Sequence, residues 1–153
     1  MPDPKNPRVT DAADEPRPVW ITGAAGLIGG ELIRRARGMA PFPQVVGLTR
    51  AELELTDAGA VRRRFECDRP AVIVHSAALS RSPACQADPA QARRANVEVT
   101  RLLAELAGEA YFIFLSTDLV FDGRSAGHRY REEDPVNPLS VYAETKVEAE
   151  AVV

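Results

Sequence analysis

The chain is poor in the residues that mark several large protein classes. It has two cysteines, Cys67 and Cys85, among 153 residues. They fit no metal-ligand or redox spacing and are too few for a disulfide framework, so no metal site and a reduced, cytoplasmic setting are expected. No apolar run approaches the ~20 residues that cross a bilayer. Positive charge is not in excess: the formal net charge is −3. That removes the electrostatic case for nucleic acid or an anionic membrane as partner. The first 18 residues hold five of the 12 prolines and lack the apolar core of a signal peptide. Residues 1–17 read as a flexible leader with no part in the chemistry.

What is present is a globular composition, 45% hydrophobic, in a chain long enough for one domain with a core. Four short apolar runs read as buried strands: 18–22, 44–49, 71–75 and 111–115. Between them, Glu31–Ala36 has helix-forming composition, Thr56-Asp57 can cap a helix through Phe65, and one long helix is expected over about Pro89 to Leu106. The strand runs are continuous and not alternating, as in a parallel sheet covered by helices on both faces. Right-handed crossovers then predict an α/β fold, a doubly wound parallel sheet over residues 18–153 in the order 3-2-1-4.

Two motifs carry chemistry. The first strand runs into Gly23-Ala24-Ala25-Gly26-Leu27-Ile28-Gly29 and then into a helix, the context that a dinucleotide fingerprint requires. Glycine permits the tight turn and a close backbone approach, and the helix N-terminus offers N–H groups to a diphosphate. The spacing is G-x-x-G-x-x-G, for which an ordinary glycine-rich turn is the competing reading. Far along the chain, Tyr142 and Lys146 stand four residues apart after the expected helix-opening pair Asn137-Pro138, which stacks phenol and ammonium on one helix face. A cation there is expected to lower the phenol pKa from about 10 and suit it to proton transfer. Surface placement of both side chains is the plain alternative.

With these motifs, Leu53-Glu54-Leu55-Thr56-Asp57, Ser76-Ala77-Ala78, the run 115–123 from Leu115 to Gly123, and the run 133–142 from Glu133 to Tyr142, the chain resembles the extended short-chain dehydrogenase/reductase superfamily. Within it the likeness is to the dTDP-4-dehydrorhamnose reductase-like, sugar-nucleotide-binding subgroup, and it covers residues 18–153. The resemblance implies a Rossmann-like domain and an NAD(P)H-dependent reductase of the 4-keto group of a nucleotide-linked deoxysugar. It implies Tyr142 as proton donor, Lys146 as its partner and holder of the nicotinamide ribose, and Thr117 as the hydroxyl that binds the substrate carbonyl, with Ser116 as the alternative. Gly23, Gly26, Leu27, Ile28 and Gly29 match the pyrophosphate turn. Glu54 and Leu55 match an acidic-apolar pair near the adenine, where Asp is more usual than Glu. Ala77 and Ala78 match the small residues beside which the cofactor crosses the sheet edge. Asn96 matches a family asparagine with a structural part. His75 stands where Asn is more usual and reads as a packed or hydrogen-bonded residue.

NAD sites usually carry an acid at the tip of the second strand. Here that strand ends in Thr49-Arg50, and Arg50 suits a 2′-phosphate, so NADP is preferred over NAD; a solvated Arg50 is the alternative. The chain stops inside the helix of Lys146 with no cap, so the C-terminal strands and the substrate domain are expected to be missing. The fourth strand would then expose an apolar edge, a route to self-association as a homo-oligomer. Three readings stay open: the N-terminal part of a reductase, a cofactor-binding module like the regulatory subunit of methionine adenosyltransferase, and an inactive truncated product.

Overall fold

The computed structural model describes residues 17–36, 44–124, 127 and 129–153. Of the expected leader only Arg17 falls among them, and its guanidinium donates to the backbone oxygens of Arg69 and Pro70 at 2.8 and 3.0 Å. Four parallel strands, β1 (Val19–Thr22), β2 (Val45–Leu48), β3 (Val72–His75) and β4 (Tyr111–Phe114), form one sheet. The first crossover helix is α1 (Leu27–Ala36) and the second is α2 (Ala58–Asp68). After β3 come α3 (Ser82–Ala87), α4 (Pro89–Arg93), a π turn (Arg94–Glu98) and α5 (Val99–Ala107). A 3₁₀ turn (Asp118–Val120) and α6 (Val141–Glu150) follow β4.

The strand order is β2-β1-β3-β4, not the expected 3-2-1-4. Between β2 and α2 the chain only turns: Thr49 and Glu52 bond each other, and Glu54 bonds Thr56. Among the described residues no strand forms outside β2, so the chain crosses back over β1 one step earlier, and β1 lies between β2 and β3. Registers run Trp20 to Val46 and Ile73, and Ile73 to Phe112. That row faces α2 and α5. Trp20 is fully buried, edge-on to Phe65 at 5.8 Å, with its indole N–H donating to Asp68 at 3.0 Å. Val61, Val99 and Leu103 close the same core; burying each such side chain is worth about 1.5–3 kcal/mol before conformational entropy is charged against it.

The opposite row, Ile21, Gly47, Val74 and Ile113, faces α1 over β1 and β2. A Cβ on Gly47 would lie 2.4 Å from the Ile33 side-chain tip, so α1 sits close against the sheet there. On β4 that face is uncovered: Tyr111 is 77% and Ile113 50% exposed. Among the described residues no helix covers that face of β4 and no strand pairs its outer edge.

The long helix is broken in kind though not in direction. Asp88 caps it, accepting from the Gln91 N–H at 2.8 Å, and the π turn widens it at Asn96, which is buried. Widening accommodates one extra residue per turn and re-aims the side chains around it.

Candidate functional site

The parallel strands all point their C-terminal ends one way, and every motif lies just beyond those ends. Gly23 follows β1 with φ +71°, a left-handed conformation that side chains disfavour. A Cβ there would also stand 2.8 Å from the Ala77 nitrogen, so the turn after β1 touches the backbone after β3. Gly29 is tighter still: its Cβ would meet the Gly23 oxygen at 2.3 Å. Gly26 donates to that same oxygen at 2.8 Å. The three glycines fold the turn flat and bring the start of α1 to its rim. Leu27 and Ile28 open the helix there, 91% and 55% exposed. This cradle lies where β1 hands on to β2 on one side and β3 on the other, the switch point at which open α/β sheets bind ligands. The spaces that side chains would fill at Gly23 and Gly29 fit the close passage of a diphosphate.

The Ala24 N–H donates to the Leu48 oxygen at 3.2 Å, which holds the turn against the tip of β2. Arg50, two residues past Leu48, is at the same edge and pairs with Glu54 at 2.6 Å with most of its side chain in water. Glu54 is committed to its own turn: bonds from the Thr56 hydroxyl and N–H, then from Arg50, hold its carboxyl below the usual range. Leu55 packs against the core. Ala77 is half-buried and Ala78 exposed, on the segment leaving β3.

The catalytic candidates come from beyond β4. Ser140 caps α6, accepting from the Ala143 N–H at 3.2 Å. The expected opening at Asn137-Pro138 is therefore corrected: Asn137 instead donates to Asp122 at 2.9 Å. Asp122 also accepts from the Tyr130 hydroxyl and the Arg124 N–H, each at 2.8 Å, and these bonds hold its pKa down to about 2. This hub shapes the loop that leads into α6, and nothing in the sequence motif beyond a turn signal pointed to it.

Tyr142 is half-buried beside Thr117 and Cys85. Burial raises its pKa, Cys85 adds to the rise, and the Thr117 hydroxyl opposes it. The expected lowering by Lys146 is not found. The Lys146 ammonium donates to the Leu115 oxygen at 2.6 Å and lies 3.8 Å from the Phe114 ring centre. Lys146 is 3% exposed, and burial brings its pKa down to about 8, with Glu150 working against the fall. A helical turn sets the two side chains on one face, but the nearest acceptor, a strand-end carbonyl, takes the ammonium. Ser116 and Thr117 diverge as neighbours on an extended segment do: the Ser116 hydroxyl donates to the Glu150 carboxylate and leaves the phenol to Thr117.

Two contributors escaped the sequence reading. Cys85 comes from α3, whose Pro83 near its start was the available signal. The other is the linkage of β1 to α6 through buried Thr22, His75, Thr100, Asn96 and Thr145: His75 is expected as a packed or hydrogen-bonded residue and Asn96 as a structural one, but the three threonines carry no motif. Among the described residues no group of His, Cys, Asp and Glu could hold a metal, and no helix is long and apolar enough to cross a membrane.

A parallel sheet with a glycine cradle at its switch point defines a Rossmann-like α/β domain. More narrowly, the chain belongs to the RmlD substrate binding domain family, whose model matches residues 17–153. It is 42% identical to the dTDP-4-dehydrorhamnose reductase of Streptomyces griseus over 143 residues, 90% of this chain and 45% of that protein. It is 38% identical to methionine adenosyltransferase 2 subunit beta of Xenopus tropicalis over 144 residues, 90% of this chain and 42% of that one. The crystal structure of a dTDP-4-dehydrorhamnose reductase from Clostridium acetobutylicum superposes with a TM-score of 0.83 at 32% identity, covering 89% of this chain and 48% of the other. A dTDP-4-dehydrorhamnose reductase from Bacillus anthracis in complex with NADP gives 0.80 at 26% identity, with 90% and 49% covered. The chain spans about half the length of the curated relatives it matches.

Proposed function

We propose that this chain supplies the coenzyme-binding and proton-donating half of an NAD(P)H-dependent reductase that acts on the 4-keto group of a nucleotide-linked deoxysugar. One observation carries the reading: the glycine cradle and the Thr117–Tyr142 pair share the C-terminal edge of one parallel sheet. The reductases among its relatives support the substrate class. We take the substrate domain to lie outside these residues and the setting to be cytoplasmic.

A bound nicotinamide coenzyme would supply the hydride. Gly23, Gly26 and Gly29 hold its diphosphate at the start of α1, with Leu27 and Ile28 against it, and Ala77 and Ala78 leave room at the sheet edge. Glu54 and Leu55 border the adenine side. Arg50 favours NADP, because its pairing with Glu54 is exposed and worth at most about 1 kcal/mol, so a 2′-phosphate can compete for it. Tyr142, its pKa raised and its proton retained at neutral pH, donates that proton to the carbonyl oxygen as negative charge develops there. Thr117 orients the phenol and the carbonyl. Lys146, mostly protonated at pH 7 with a pKa of about 8, holds the ribose hydroxyls once it swings from the Leu115 oxygen.

A second reading is a coenzyme-binding module without turnover. It is favoured by the 36–38% identity to methionine adenosyltransferase 2 subunit beta of several vertebrates and by the Lys146 ammonium lying on a carbonyl and not on the phenol. Titration with NADPH and NADH, followed by turnover with a 4-keto nucleotide-sugar, separates the two. Coenzyme oxidation that Tyr142→Phe abolishes supports the reductase. Binding without oxidation supports the module. Failure to bind either coenzyme overturns both and leaves an inactive product.

A further inference from the structure

We propose that His75 is a positioning residue: its neutral imidazole joins the floor of the glycine turn to the helix that carries Tyr142, fixing the spacing between the two halves of the site. The functional meaning rests on the reading above; the linkage itself rests on geometry. Thr22 ends β1, immediately before Gly23, and its hydroxyl oxygen accepts from the Ala77 N–H at 3.2 Å. That hydroxyl is 2.7 Å from His75 Nδ1. On the other side of the ring, Nε2 is 3.1 Å from the Thr100 hydroxyl, which donates to the Asn96 backbone oxygen at 2.6 Å. The Asn96 side-chain amide donates to the Thr145 hydroxyl at 2.9 Å, and Thr145 donates to the backbone oxygen of Tyr142 at 2.7 Å. The same amide holds Leu79 at both its N–H and its carbonyl, at 2.7 and 3.1 Å.

The directions of these bonds fix the tautomer. Thr100 has one hydroxyl hydrogen and gives it to Asn96, so it can only accept from the ring, and Nε2 must carry the proton. Nδ1 is then a bare acceptor and takes the Thr22 hydrogen. That leaves a Thr22 lone pair for the Ala77 N–H, the amide that faces Gly23 at the point where a side chain cannot fit. A second ring proton at Nδ1 would occupy the other Thr22 lone pair and leave the Thr22 hydrogen without its acceptor. Burial opposes that proton first and the Lys146 charge second, holding the ring pKa down to about 3. All five polar side chains in the chain are at most 2% exposed, and no buried side-chain nitrogen or oxygen among the described residues lacks a partner. A fully satisfied buried network has one arrangement, and that is what a positioning device requires.

The test uses the whole chain labelled with nitrogen-15. The His75 ring should show a protonated Nε2 and an unprotonated Nδ1 from pH 5 to 8; a charged ring or an Nδ1 proton anywhere in that range overturns the proposal. His75→Phe and Thr100→Val each fill the space without passing on the hydrogen bonds. Both are expected to shift the ring signals of Tyr142, and His75→Phe also the amide signals of Gly23 and Ala77. His75→Asn, which can keep the acceptor toward Thr22 but not the reach to Thr100, should restore the Gly23 and Ala77 signals and leave those of Tyr142 displaced. Unmoved Tyr142 signals in folded His75→Phe or Thr100→Val would sink the linkage. NADPH affinity in His75→Phe should fall by roughly tenfold, the equivalent of one lost buried hydrogen bond. If the unaltered chain binds no nicotinamide coenzyme, the functional reading fails, while the ring and Tyr142 signals still decide this one.

Discussion

Acidification to pH 5 should destabilise the chain mainly through a single residue. His75 is buried neutral, with a pKa of about 3 against an ordinary 6.5. Between those values the unfolded chain binds a proton that the folded chain refuses. Stability therefore falls as pH falls from about 6.5 toward 3, by about 1.4 kcal/mol for each pH unit once well below 6.5. From pH 8 to pH 5 the accumulated loss is about 2 kcal/mol. Glu31, Glu52, Glu54 and Asp122 also titrate low in the folded chain, held by hydrogen bonds led by Arg34, Thr49, Thr56 and Arg124 respectively. Their contribution is present above their ordinary pKa values near 4 and is lost below, outside this window. Urea unfolding at pH 8 and pH 5, on the wild-type chain and on His75→Asn, isolates the histidine: the wild type should lose about 2 kcal/mol more than the variant. Equal losses in the two proteins would refute the neutral, buried imidazole.

The remaining predictions concern the cradle, the cation and the coenzyme. Gly29→Ala drives a Cβ against the Gly23 oxygen, rigid backbone, at 2.3 Å, whereas Gly47→Ala meets the movable tip of Ile33 at 2.4 Å and the Ala24 Cβ at 3.1 Å. Gly29→Ala should cost more of the ~1–3 kcal/mol that overpacking brings and should also abolish NADPH binding, as read by thermal unfolding with and without coenzyme. Lys146→Met should leave stability at pH 7 unchanged or higher, because a buried charge with a pKa of about 8 burdens the fold, while coenzyme binding is lost. The sign can be checked: the burden is present below pH 8 and fades as pH rises toward 10.5, so the gap between the two proteins should narrow at pH 9.5; a gap that widens contradicts it. Arg50→Ala should weaken NADPH more than NADH binding in parallel titrations and change unfolding free energy by less than about 1 kcal/mol, since its pair with Glu54 is exposed.

The elements and the site followed from the sequence to different depths. The strands were legible because each is a continuous apolar run, and the cradle because glycine spacing between strand and helix leaves few other readings. Asp57 capped α2 as its position suggested. Strand order was misread, since a short polar stretch after β2 does not say whether it turns or pairs. Nor could helical spacing tell where the Lys146 ammonium would go.

Sequence by itself determined that this chain makes a dinucleotide-type turn and carries Thr117, Tyr142 and Lys146, because those signals are local: neighbours along the chain set the turn, the cap and the helical face. Only tertiary structure decided that Cys85 helps raise the pKa of the Tyr142 phenol, that Lys146 rests on Leu115, and that His75 is locked in one tautomer between Thr22 and Thr100. Each of these depends on groups 25 or more positions apart meeting in a space that excludes water. There, hydrogen-bond partners and proton affinities are set by what else is buried alongside.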